Sequence, residues 1–115
     1  MQVSDEASHA RFQEQTKAML RELSIAVHRD GYAQLSVGIP RYAQDSTQGI
    51  CKELYPYIAG ELGYADWHSV ERSIRFEILD AWNRRNHDIW EKYFPNNQRV
   101  PTNKVFIATL ADRLK

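Results

Sequence analysis

The stretch Tyr57–Trp82, YIAGELGYADWHSVERSIRFEILDAW, decides how the chain is read. Ile58-Ala59 followed by Leu62-Gly63 predicts a short helix with a small residue where a second helix must cross closely. Gly63 stands where that helix ends and can take the left-handed conformation that a C-cap prefers. After a few turn residues, Val70, Ile74, Ile78 and Ala81 recur at helical spacing, with Trp82 beside them. Asp66 or Ser69 is placed to cap this second helix, and Trp67 to pack back onto the core. Helix, glycine turn and helix form the pattern of a helix-turn-helix, whose second helix is shaped to lie in the DNA major groove.

At about 100° per residue, setting Val70 at zero brings Ile74, Ile78, Ala81 and Glu77 within roughly 80° of it, so these form the inner face. Arg72, Phe76, Ser69 and Leu79 centre the opposite face, with His68 and Arg75 at one edge. Arginine matters there because its planar fork can bond both O6 and N7 of guanine. Arg72, a turn in from the N-terminal end, is the first candidate for base contact, and Arg75 for a phosphate or second base. His68 and Ser69 lie at the helix start, close to a groove floor or phosphate. Phe76 either touches a thymine methyl or leans onto the core. In the plainer reading, the two arginines are ordinary surface cations paired with Glu71 and Asp80.

Outward from this stretch, helical patterns dominate and none alternates as a half-buried strand would. Ser4 or Asp5 is a candidate cap for a first helix, with Glu6 in its first turn, where the dipole favours negative charge. Phe12, Met19, Leu20, Leu23, Ala26 and Val27 predict a long amphipathic helix ending near Asp30-Gly31. Gly38 and Pro40 then punctuate a weak pattern, and Pro40 is placed to start a short helix through Tyr42-Ala43. Asp45 or Ser46 is the expected cap of the next helix, with Ile50, Leu54 and Ile58 inside. Pro56 interrupts that helix, and an interior proline costs roughly 3 kcal/mol, so a kink or break is expected there. Asn83-Arg84-Arg85-Asn86 ends the central helix. His87 to Phe94 forms another, and Pro101-Thr102-Asn103 begins the last, with Phe106, Ile107, Leu110, Ala111 and Leu114 on one face. The expectation is an all-α fold of about six helices containing a helix-turn-helix.

The 115 residues suit one domain with a modest core. No apolar run approaches the 18 or so residues of a transmembrane helix, and no signal-peptide pattern opens the chain, so a cytoplasmic location is expected. Cys51 stands alone, suits a reducing compartment, and at helical core spacing is expected to be a small buried hydrophobe. Net charge is zero, but unevenly spread: six Lys/Arg against nine Asp/Glu over residues 1–67, two against three over 68–82, and seven against three over 83–115. The basic last third is compatible with phosphate contact, and Arg84, Arg85 and Lys104 are the candidate phosphate contacts. His9, His28, His68 and His87 have no zinc-ligand spacing among themselves or with Cys51. The five glycines are too scattered for a phosphate loop. No enzyme activity, metal or cofactor is expected.

Leu54-Tyr55-Pro56, Ile58-Ala59, Val70-Glu71-Arg72, Ile74-Arg75 and Ala81-Trp82 resemble the C-terminal DNA-binding effector domain of the stage-zero sporulation A response regulator. Pro101-Thr102-Asn103, Phe106-Ile107-Ala108 and Ala111-Asp112 match that family's last helix. The resemblance covers about residues 21–115 and leaves 1–20 as an N-terminal helical extension. It implies an all-α domain that binds short DNA boxes, often as tandem dimers, and regulates transcription. It places Glu71, Arg72 and Arg75 on the DNA-reading helix. The chain departs from the pattern in several ways. His68-Ser69 stands where the family typically has Ser-Arg, the turn before it is longer, and Phe76 replaces a typical histidine. The segment before Pro101 is shorter, as is the region between Gly31 and Ile50, so the family's second helix is expected to be reduced here. Residues 1–20 are also too few for the family's phosphorylated receiver domain, so a stand-alone effector domain is expected, constitutive or controlled by a partner or by expression. The candidate DNA-binding residues are therefore His68, Ser69, Glu71, Arg72, Arg75 and Phe76, on double-stranded DNA, with a homodimer or tandem dimer in view. The rival reading is a protein-interaction module that modulates a related regulator by mixed dimerisation.

Overall fold

The structure is a computed structural model that describes the backbone of residues 2–114 and the side chains of residues 8–114. Helix α1 spans Gln2–Glu22, α2 Asp30–Gln44, α3 Tyr55–Leu62, α4 Trp67–Asn83, α5 His87–Tyr93 and α6 Asn103–Asp112. One π-helical turn, Ile50–Leu54, leads into α3. The described residues contain no strand, and the all-α expectation holds. None of their helices is long and apolar enough to cross a membrane.

The first helix stops earlier than its apolar spacing predicted. Ser24 takes a left-handed φ of 70°. Ser24 N–H then donates to Arg21 O at 3.0 Å and Ile25 N–H to Leu20 O at 2.9 Å, the paired bonds of a Schellman close. Leu20 and Ile25, brought together by that motif, are both buried. The helix begins at Gln2, ahead of Ser4 and Asp5, whose side chains lie outside the described residues.

The region around Gly38 and Pro40, where the pattern is weak and only a short helix from Pro40 through Tyr42-Ala43 is expected, is one continuous helix from Asp30 to Gln44. α2 runs through both residues and packs against α1, α3, α4 and α6. Its glycines permit that crowding: a Cβ on Gly38 would lie 2.5 Å from Ile58 Cδ1, and one on Gly31 2.2 Å from Glu77 Cγ. Helix propensity near these residues is low, but close approach of four neighbours outweighs it.

The cap expected at Asp45 or Ser46 does not form. Asp45 instead closes a local turn, accepting from Thr47 N–H at 3.1 Å, and Gly49 precedes the π turn with no side-chain cap. The break expected at Pro56 is present as this wide turn, in which Leu54 N–H reaches back to Gly49 O at 3.0 Å. Widening the turn relieves the clash between a proline ring and the carbonyl four residues earlier. It also shifts the helical phase, so Cys51 is exposed rather than buried. Gly63 ends α3 at φ 82°, and Tyr64 N–H donates to Ala59 O at 2.8 Å.

An aromatic cluster seals the other end of the molecule. Trp90 meets Trp82 edge-on at 5.6 Å, stacks with Phe94 at 5.4 Å, and Phe94 stacks with Phe106 at 5.6 Å. Trp90 Nε1 donates to Leu23 O at 3.1 Å, which ties α5 to the end of α1. The inner faces predicted for α4 and α6 are buried: Val70, Ile74, Ile78 and Ala81 on one, Phe106, Ile107, Leu110 and Ala111 on the other.

Candidate nucleic-acid interface

With its apolar face committed to the core, α4 presents the other face to solvent along its length. Asp66 caps it, accepting from His68 N–H at 3.0 Å. That backbone bond, with the His68 ring nitrogen 2.8 Å away, holds the Asp66 carboxyl below its ordinary value. The His68 ring stacks on Trp67 at 3.9 Å, and Trp67 in turn on Tyr55 at 5.8 Å. Ser69 turns its hydroxyl inward, donating to Asp66 O at 2.7 Å. The N-terminal turn of α4 is thus pinned on both sides.

Arg72 is exposed, and among the described residues it makes no ion pair and no side-chain hydrogen bond. Arg75 is half-buried and donates from Nη1 to Pro101 O at 3.1 Å. Asn103, at the start of α6, donates to both Tyr55 Oη at 3.0 Å and Glu71 O at 3.2 Å. This one amide joins α3, α4 and α6 where the outward face begins. Lys104 follows it, exposed beside Arg72 and Arg75 on the rim of a groove of about 680 Å³.

Phe76 does not lean onto the core. It is 55% exposed, and the Arg29 guanidinium lies 5.1 Å from its ring centroid. Arg29, from the connection between α1 and α2, also donates to Glu77 Oε1 at 3.1 Å and Asp80 Oδ2 at 2.6 Å. Glu77, only 3% exposed, owes its place on the inner face to this partner. Nothing in the sequence signals the contact, because 48 residues separate the pair. Nor do Glu71 and Asp80 pair with Arg72 and Arg75: Asp80 is taken by Arg29 and by Arg84, whose Nη2 lies 2.7 Å away.

The three candidate phosphate residues are not together. Arg84 donates to Asp80 and to Ser24 O at 3.0 Å. Arg85 donates to Trp82 O at 2.8 Å and lies 3.7 Å over the Trp82 ring. Both sit at the far end of α4, roughly 18 Å beyond Arg72 at 1.5 Å per residue. Lys104 alone lies beside Arg72 and Arg75.

Residues 16–114 match the family described as sporulation initiation factor Spo0A C terminal. The chain belongs to that family. The Spo0A C-terminal family is one of DNA-binding regulatory effector domains, and its match extends over both the apolar face of α4 and the solvent face that carries Arg72.

The ion network has a pH signature. Hydrogen bonds from Arg84, then from Arg29, hold the Asp80 carboxyl below its ordinary 3.8. A lowered folded value means the unfolded chain takes up the proton first as acid is added. The contribution is therefore complete above about pH 4 and is lost as pH falls through the lowered value. Asp80→Asn is expected to lose less stability between pH 5 and about 2.5 than the parent does, measured by urea unfolding at each pH. Parallel profiles would show that Asp80 is not held by these arginines.

Proposed function

We propose that the chain is a cytoplasmic, sequence-specific DNA-binding transcription regulator in which α3, the Gly63 turn and α4 act as a helix-turn-helix. α4, from about Trp67 to Asn83, enters the major groove. The DNA-binding domain takes in the matched residues 16–114, with the preceding turns of α1 as a helical extension. The observation that carries this reading is Arg72: an exposed guanidinium with no partner among the described residues, a turn into α4, in a chain of a DNA-binding effector family. Arg72 reads a base, preferably guanine, through its two-pronged fork. Arg75 keeps free N–H donors after its bond to Pro101 O and serves a neighbouring base or phosphate. His68, Ser69, Glu71 and Phe76 shape specificity. Lys104 is the phosphate contact nearest to Arg72, and Arg84 and Arg85 serve only a duplex that reaches the far end of α4. Homodimers or tandem dimers on DNA fit the same reading.

The test is a fluorescence-anisotropy titration with the family's DNA box and a scrambled duplex at two salt concentrations. Binding is expected to prefer the box and to weaken steeply with salt, because phosphate contacts release counterions. Arg72→Ala is expected to cost about 1–3 kcal/mol and to relax preference at one base pair. An Arg72→Ala protein that binds every duplex as the parent does would remove Arg72 from the interface. The second reading, a protein-interaction module acting on a related regulator by mixed dimerisation, is favoured by the exposure of Phe76 and Leu79. It requires binding to a partner protein that is insensitive to salt, and no duplex binding at low salt.

A further inference from the structure

Phe76 and Leu79 are 55% and 37% exposed, one helical turn apart on the outward side of α4. Together with half-buried Ile50 they wall the groove of about 680 Å³ that runs between the π turn, α4 and the start of α6, with the buried Tyr55 beneath them. A DNA base edge offers apolar chemistry only at the thymine methyl, so base reading accounts for Phe76 and leaves the trough between Ile50 and Leu79 without a use. The trough has the form of a receptor for an apolar helical stripe, with anchors at i, i+3 or i+4, and i+7. Its rim carries three cations, Arg72, Arg75 and Lys104, against the single carboxylate of Glu71. Such a rim repels a basic helix and attracts an acidic one.

We propose that this groove binds an acidic amphipathic helix of a partner protein, apolar residues against Ile50, Phe76 and Leu79 and carboxylates against Arg72 and Lys104, and that the occupant excludes DNA. The exclusion rests on the DNA reading above, since Arg72 belongs to both surfaces. The groove does not rest on it.

The experiment is selection from a displayed pool of helical peptides. Apolar residues are fixed at i, i+3 or i+4, and i+7, and the remaining positions are randomised among Glu, Asp, Lys, Arg, Gln and Ser. Winners are expected to be rich in Glu and Asp, to bind Leu79→Ser at least tenfold more weakly than the parent, and to regain affinity with Leu79→Met. Duplex DNA is expected to elute them. Absence of enrichment, basic winners, or winners indifferent to Leu79→Ser would overturn the groove. Box binding is measured on the same preparations. Acidic winners without any duplex binding would leave the groove standing and remove the exclusion together with the DNA reading. Duplex binding without winners would remove the groove alone.

Discussion

Phe106→Ala is expected to lower stability by about 3–5 kcal/mol and the melting temperature by roughly 10–20 °C. Phe106 is fully buried, stacked on Phe94 at 5.6 Å and tilted against Trp90 at 6.1 Å. The size of the effect depends on whether the neighbours can collapse into the space left, and here they are held. Trp90 cannot slide towards the void without releasing its bond to Leu23 O, and its other side meets Trp82. The cavity therefore stays open, and its cost adds to the lost burial of the ring. Against a total stability of about 5–15 kcal/mol for such a domain, this is a large fraction. Phe106→Leu refills most of the volume and is expected to cost less than half as much. Urea unfolding of both variants measures this directly. A Phe106→Ala loss below about 1.5 kcal/mol would mean that the cluster repacks, which the hydrogen bond of Trp90 forbids.

The parts of the fold that were legible in the sequence are those specified by nearby residues. The α4 stripe of Val70, Ile74, Ile78 and Ala81, the Asp66 cap and the left-handed Gly63 each follow from neighbours within a few positions, and each is present. The errors have two sources, an unusual local backbone conformation and contacts between residues remote in sequence. Phe12 to Val27 read as one helix because the apolar spacing is continuous, while the stop depends on Ser24 adopting a conformation usually left to glycine. α2 read as broken because Gly38 and Pro40 are ordinarily breakers, while its place depends on Ile58 and Glu77, which are remote in sequence. The candidate site divides in the same way. The outward positions of His68, Arg72 and Phe76 follow from helical phase. The grip of Arg29 on Glu77, and of Asn103 on Tyr55 and Glu71, comes from other helices and left no local mark.

Gly31→Val is expected to destabilise by about 3 kcal/mol, the upper end for overpacking, although valine forms helices better than glycine does. A Cβ at this position would lie 2.2 Å from Glu77 Cγ and 3.3 Å from both Glu77 Cβ and Cδ. The glutamate cannot swing clear, because Cγ is mid-chain and the carboxylate beyond it is fixed by Arg29. Relief must come from moving α4 away from α2, and α4 carries Arg72 and Phe76. Box preference should therefore fall even at temperatures where the variant remains folded. Gly60→Ala is the control, since that position also lies in a helix but meets nothing within 4 Å. It is expected to stabilise by about 0.5–1 kcal/mol through the unfolded chain alone. Opposite signs for substitutions of the same residue type separate contact from propensity. Glu77→Ala combined with Gly31→Val completes the argument: removing the blocking side chain should make the double variant less destabilised than the two single losses added together. Strict additivity would mean that α2 and α4 do not meet at Gly31.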